Sequence, residues 1–361
     1  LKNSDQKASH SYQLRPLVLI TGCTGLLGTH VAQKFVSEGY RVRGLRRTNS
    51  AQTLPMENTS SIEWVNGDIL DIPSLEAAVD SVDVVVHAAA LVFFSPGEKN
   101  RLYEVNVEGT ANVVNVCLKH GTKKFCHVSS VAALGRSAAA IAATKEKATS
   151  GFQSEIVVDE EAKWEDSPYN SHYAQSKYLA ELEVWRGMAE GLNAVVVNPS
   201  LILGAGDWNR SSSRVFRYVW QEKPFYTDGQ VNWVDVRDVA EIIFLLLEAE
   251  VWAKRFILSA GNTSFQHLFY DIADCFHKKR PRIRVSASAA QILWRLEWIR
   301  SQLTRKTPLI TRETAQVAAL SLRYDSEKIR RELRFDFRSI SDTIQWCCEN
   351  YQKQLAMNLT A

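Results

Sequence analysis

The residues whose types and spacing could do chemistry fall at three places in this 361-residue chain. Near its start, Gly22, Gly25 and Gly28 follow the branched apolar run Leu17-Val18-Leu19-Ile20 and precede Val31, Phe35 and Val36 at helical spacing. A glycine turn between a buried strand and a helix suits a dinucleotide pyrophosphate. The first glycine permits the tight turn, the second lets the backbone approach the phosphates, and the third lets helix pack on strand. The helix N-terminus adds unpaired N–H groups and a partial positive charge. Arg46 and Arg47 stand at the end of the next strand, about 20 residues beyond the glycines, where an acidic residue would bind a ribose 2′-hydroxyl. A guanidinium fork fits a 2′-phosphate instead, so the pair predicts NADP(H) in preference to NAD(H). Further on, Tyr173 and Lys177 are four residues apart, which puts a phenol and an ammonium on one face of a helix. That spacing recurs by accident and carries no weight alone.

The elements that must position these groups alternate along the chain. Strand-like runs at Leu17–Ile20, Tyr40–Leu45, Ile62–Val65, Val82–Val86, Lys124–Val128 and Ala194–Val197 are separated by amphipathic stretches. This is the pattern of βαβ units and a parallel sheet. Asp68, after the third strand, could accept from an adenine amino group or cap the helix that follows. His87-Ala88-Ala89-Ala90-Leu91 after the fourth strand offers small residues against which a flat ring can lie, and His87 alone is a poor catalytic candidate. The stretch 137–151 is low in complexity and reads as a disordered excursion at the rim of the sheet. Ile242–Leu247 reads as a buried helix, too short to span a bilayer.

Composition sets bounds. The net charge of +3 gives no case for nucleic acid, and no apolar run supports stable membrane insertion. The first 14 residues are polar, lack the apolar core of a secretory signal, and read as a flexible lead-in. The six cysteines have no metal-ligand spacing and read as reduced residues of a cytoplasmic protein without a metal; Cys23 sits in the glycine turn.

Together the segments resemble the extended short-chain dehydrogenase/reductase family, part of the NAD-dependent epimerase/dehydratase superfamily, over residues 15–350 or so. The resemblance rests on TGCTGLLG from Thr21, GDILD from Gly67, HAAA from His87, NVEGTAN from Asn106 and HVSSVAALG from His127. It continues through YAQSK from Tyr173, NPSLILGAGD from Asn198 and VDVRDVA from Val234, all in the family's order. It implies a Rossmann-type doubly wound parallel α/β sheet over residues 15–199 with a return segment near 229–260. A smaller substrate-binding cap would come from 200–228 and 261–361. It also implies that Tyr173 is the acid/base, Lys177 its activator and a contact of the nicotinamide ribose, Ser130 the holder of the substrate carbonyl, and Asn106 a supporting member of the site. The implied cofactor contacts are Thr21, Gly22, Thr24, Gly25, Leu26, Leu27, Gly28, Arg46, Arg47, Asp68, Ile69, Ala88, Ala89, Ala90, Lys177, Asn198, Pro199 and Ser200.

The long interval from Ser130 to Tyr173, ending in an acidic segment with Trp164, resembles the dihydroflavonol reductase and cinnamoyl-CoA reductase branch. Gly135 stands where the flavonoid enzymes carry an asparagine, and Leu203 and Ala205 replace the tyrosine and proline of nucleotide-sugar epimerases. The expected activity is therefore NADPH-dependent reduction of an apolar or aromatic aldehyde or ketone. Leu91, Phe93, Trp208, Phe216, Trp220 and Tyr226 are candidates for substrate contact. A 3-beta-hydroxysteroid dehydrogenase, an NADP-binding sensor without turnover and a nucleotide-sugar epimerase or dehydratase are the alternatives. The family also implies a homodimer, with Val113, Val114, Val116, Leu179, Leu182 and Val184 available for its interface. A helix at 289–303 reads as part of the cap or as a membrane-surface contact.

Overall fold

A computed structural model describes residues 15–48, 61–92, 99–149, 155–227, 229–286 and 322–360. The lead-in 1–14, Phe93 and the helix expected at 289–303 lie outside the described residues. Seven strands form one parallel sheet: β1 Leu17–Thr21, β2 Arg41–Arg46, β3 Ile62–Asn66, β4 Val84–His87, β5 Lys124–Val128, β6 Ala194–Pro199 and β7 Lys254–Leu258. Their spatial order is β7-β6-β5-β4-β1-β2-β3. Winding reverses between β1 and β4, and the carboxyl edge at such a switch point is where open α/β sheets bind ligands. The central strands are continuous runs of Val, Leu and Ile buried on both faces, as helices on either side require. Short side chains let α1 (Leu26–Ser37) and the helix Val236–Glu248 cover one face, while α2 (Gly109–His120) and α3 (His172–Ala189) cover the other.

β7 was not among the strands read from the sequence. Its residues Lys254–Leu258 pair with Val195–Pro199 at the edge of the sheet. The return segment divides: Gln230–Asp235 joins a small sheet with Leu201–Leu203 and Gly261–Ser264, whereas the Val236–Glu248 helix and β7 join the large layer. Residues 137–151 correct the expectation of disorder, since Ala138–Thr149 is helical and Ile141 is buried against Leu322 and Ile156. Alanine has the highest helix propensity, which accounts for a helix in a stretch without an apolar stripe.

The cap is organised around a dry aromatic core. Phe216, on the helix Arg214–Trp220, meets Phe276 edge-on at 6.4 Å and lies tilted against Tyr351 at 5.3 Å, and Trp208 stacks on Tyr351 at 5.5 Å. Tyr351 belongs to the helix Ile340–Thr360, and its hydroxyl donates to the Gly204 carbonyl and accepts from Gly206 N–H. The helix Ile340–Thr360 thereby fixes the loop that follows the strand Leu201–Leu203.

Candidate active site

The glycine turn is shaped as its composition requires. Gly22 has φ of +71°, and a Cβ there would lie 2.7 Å from the Ala89 nitrogen and 2.8 Å from the Ala88 carbonyl. A Cβ on Gly28 would lie 2.2 Å from the Gly22 oxygen. Gly25 is the N-cap of α1 with no side-chain cap, and the first helical turn carries no acidic residue. Leu26 and Leu27 open that helix; Leu26 packs over Gly204 and Gly206, and Leu27 enters the core. The close approaches of the turn are made by backbone, and Thr29 on α1 donates its hydroxyl to the Cys23 carbonyl at 3.1 Å. That cradle fits a dinucleotide pyrophosphate.

Thr21, at the end of β1, fastens the turn to β4. Its hydroxyl accepts from Ala89 N–H at 3.2 Å and lies 2.7 Å from His87 Nδ1. His87 Nε2 lies 3.0 Å from the Thr110 hydroxyl, which donates its proton to the Asn106 carbonyl at 2.6 Å. Thr110 must therefore accept from Nε2–H, so Nδ1 accepts from Thr21. Burial pushes the imidazole down to about 3, with the Lys177 charge adding to the effect. His87 is a neutral link between the cofactor turn and the helix carrying Asn106, a role its type and position did not reveal.

Asn106 sits in the π-helical turn Glu104–Glu108 ahead of α2. Its amide accepts from Leu91 N–H at 2.8 Å and donates to the Leu91 carbonyl and the Ser176 hydroxyl, each at 3.0 Å. Asn106 thereby ties the chain after β4 to the helix bearing Tyr173, and its amide is spent on those contacts. Leu91 is clamped there.

α3 starts at Ser171, whose hydroxyl accepts from Ala174 N–H. One turn separates Tyr173 from Lys177. The Lys177 side chain is 2% exposed and its ammonium donates to the Val128 carbonyl at 2.8 Å. Burial lowers Lys177 to about 8, partly opposed by Glu181. Burial raises the Tyr173 phenol, and a hydrogen bond with Ser130 draws it back. Ser130 is at the end of β5, where its oxygen accepts from Ala132 N–H at 3.2 Å, leaving its proton for the phenol. A hydroxyl, a phenol and an ammonium are thus brought together at the carboxyl edge of the sheet.

Other expected contacts distribute differently. Arg46 donates to the Asn66 side chain at 3.2 Å and lies over the Trp64 ring, while Arg47 is exposed beside it. Asp68 caps no helix: its carboxylate accepts from Leu70 N–H, and Asp71 is the N-cap of Ile72–Val79. Ile69 turns its side chain onto Gly109, away from solvent, and its carbonyl accepts from Asn112. Asn198 is fully buried, and its side chain donates to Ser130 O at 3.0 Å and Glu181 at 2.5 Å. Pro199 ends β6, and the adjoining Ser200 hydroxyl is buried without a protein partner. Ala88, Ala89 and Ala90 are partly open after β4, and Thr24 lies within the glycine turn.

Of the aromatic candidates, Phe216 is fully buried in the cap core, whereas Trp208 and Trp220 are half-buried and pack against Tyr351 and Phe276. Tyr226 meets Tyr270 edge-on at 6.1 Å. Of the residues assigned to an interface, Val113, Val114, Val116 and Val184 lie in the chain's own core, and Leu182 is exposed. Cys23 is buried, and its thiol is raised to about 12, which makes it unreactive.

Sequence reasoning also missed Trp164 as a structural piece. Its indole stacks on Tyr178 at 4.6 Å and covers Gly135, whose φ is +74°. Glu160, in the same acidic segment, accepts from Ile257 N–H on the sheet edge at 2.8 Å. The segment is therefore bound to β7 and α3.

Comparison with known proteins agrees with this architecture. The model of the NAD dependent epimerase/dehydratase family matches residues 18–257. A Synechocystis protein provisionally named dihydroflavonol 4-reductase is 27% identical, covering 94% of this chain and 97% of its own. Cinnamoyl-CoA reductase 1 of Oryza sativa subsp. japonica is 30% identical over 65% of this chain and 68% of its own. The crystal structure of gox2253 superposes with a TM-score of 0.74 at 26% identity, covering 94% of this chain and 99% of that one. With the glycine cradle at the switch point and the reductases among its relatives, the chain belongs to the NAD dependent epimerase/dehydratase family, on the dihydroflavonol reductase-like branch of the extended short-chain dehydrogenase/reductases, and is an NAD(P)-dependent oxidoreductase.

Proposed function

We propose that this enzyme uses NADPH to reduce an apolar or aromatic aldehyde or ketone. The observation that carries the reading is the buried Lys177 ammonium one helical turn from Tyr173, with the Ser130 hydroxyl on the phenol. A bound nicotinamide supplies the hydride that adds to the carbonyl carbon. The remaining chemistry belongs to the chain. Negative charge develops on the carbonyl oxygen, so donors aimed there stabilise the transition state. Ser130 would hold that oxygen, and Tyr173 would give it the phenolic proton, completing the alcohol. An unperturbed phenol has a pKa of ~10, and the adjacent ammonium favours the phenolate that remains.

Gly22, Gly25 and Gly28 would admit the pyrophosphate. Arg46 and Arg47 would hold the 2′-phosphate, which supports NADP(H) over NAD(H). The names of the reductase relatives support an aromatic carbonyl compound as the substrate class.

The test is NADPH consumption against aromatic aldehydes, aliphatic ketones, ketosteroids and nucleotide sugars, with Tyr173→Phe as control. Consumption that requires Tyr173 and favours aromatic or apolar carbonyls supports the reading. Tyr173-independent consumption, or turnover confined to nucleotide sugars, refutes it.

A further inference from the structure

Behind Lys177 lies a carboxylate that the proposed reaction does not use. Glu181 is one turn further along α3 and 1% exposed. Removing a carboxylate from water costs several kcal/mol, so a buried one needs close compensation. Here Asn198 Nδ2 donates to its Oε1 at 2.5 Å and also to the Ser130 carbonyl at 3.0 Å. Arg255 Nη1, reaching in from β7, lies 3.7 Å from its Oε2. That guanidinium is already committed to the carbonyls of Glu160 and Ala162 through bonds of 2.5 to 2.8 Å. The Ser129 hydroxyl lies against the carboxylate in a geometry too loose for a full hydrogen bond. Glu181 therefore has a cation on either side, Lys177 on its own helix and Arg255 across the sheet.

We propose that Glu181 is a positioning residue of the site: its buried carboxylate anchors Asn198, and through it the Ser130 carbonyl, and faces Lys177 with the negative charge that keeps the lysine cationic. The inference rests on the reading of Tyr173 and Lys177 as the acid/base pair. The other titratable groups facing Lys177 are His87 on β4 and His127 on β5. Burial holds both far below their ordinary range, so neither carries charge near neutrality. Tyr173 is neutral there as well, burial having raised its phenol. Arg255 faces Glu181 from β7 and carries its charge throughout. Burial raises the Glu181 carboxyl, and the Ser129 and Asn198 side chains with the charges of Arg255 and Lys177 draw it back; it is the carboxylate facing a lysine that burial has drawn down to about 8. Losing that charge leaves desolvation unopposed.

The experiment is NMR of protein labelled at lysine Cε, with the Lys177 resonance assigned by its loss in Lys177→Arg. In the native enzyme the resonance should titrate near 8. In Glu181→Gln, which retains a carbonyl acceptor for Asn198, it should titrate lower by about one unit or more. The alkaline limb of kcat should move the same way while NADPH affinity stays within about two-fold. Glu183→Gln, a change two residues along the helix at a half-buried carboxylate that pairs with Arg186, should move neither. An unmoved resonance in folded Glu181→Gln overturns the proposal and leaves the residue a strut. Should the glutamine variant fail to fold, Glu181→Asp withdraws the charge by one methylene; a smaller downward step is then expected, and none overturns the proposal. The titration needs no turnover, so an absent reductase activity would refute the acid/base reading separately.

Discussion

The two clusters beside the carboxyl edge of the sheet are built from opposite materials. Between β4, β5 and α3, buried polar groups hold one another at hydrogen-bond distance: Thr21, His87, Thr110, Asn106, Ser176, Glu181 and Asn198. In the cap, Phe216, Phe276, Trp208 and Tyr351 pack as rings, with one hydroxyl reaching the Gly204–Gly206 loop. A directional network fixes where a proton donor points, whereas an apolar core fixes whether the cap is folded at all. Damage to the first should appear in rates and pH profiles, and damage to the second in stability.

The largest effect tests the first half of that contrast. Tyr173→Phe should lower turnover by about 100-fold or more, as expected for loss of a general acid, with NADPH affinity and melting temperature unchanged. Steady-state kinetics alongside cofactor titration decides it; retained turnover would detach the network from the chemistry. Phe216→Ala tests the other half. It should cost about 3–5 kcal/mol in denaturant unfolding, because the side chain is fully buried, yet spare the intrinsic rate of the protein still folded. Equal losses of rate and stability would merge the two regions.

Arg46→Ser combined with Arg47→Ser should weaken NADPH binding by roughly 10-fold or more while leaving NADH binding within a factor of about two, since hydrogen bonds to charged groups contribute about 1.5–3 kcal/mol. Fluorescence titration of both cofactors measures the ratio. pH gives the smallest and most graded effect. Lys177 is held at about 8 in the folded enzyme, so kcat/KM for reduction should fall as pH rises above that value and the ammonium is lost. Above pH 8 the unfolded chain binds the extra proton, so stability rises with pH toward the ordinary lysine range while activity falls. Opposite slopes in melting temperature and rate over that window would separate the charge from the fold.

Residues whose function follows from backbone geometry were legible in the sequence. Gly22 and Gly28 leave a clear trace because no side chain fits there, and Tyr173 and Lys177 share a helix face by spacing alone. The supporting residues were not legible, because their partners are distant in the chain. His87 meets Thr110 only across two elements, and Asn198 meets Glu181 only where β6 passes α3. Glu181 did carry a faint signal, lying one turn beyond Lys177 on the same face. Phe216 misled for the converse reason: hydrophobicity marks burial without saying whether the neighbour is substrate or protein. β7 was short and began with two charged residues, Lys254 and Arg255, so its apolar run Phe256–Leu258 did not announce a sheet edge.

The π-helical turn Glu104–Glu108 holds one residue more than an α-helical path would need. Deleting one residue there would restore regular winding and leave the flanking turns nearly in place, because the wider turn already absorbs the extra residue. Asn106 lies inside that turn, so its reach to Leu91 and Ser176 depends on the extra residue being there. Chain length, as well as residue identity, is therefore under constraint at this point. A lineage could disengage Asn106 by losing a single codon, a change that surveys of substitutions never sample.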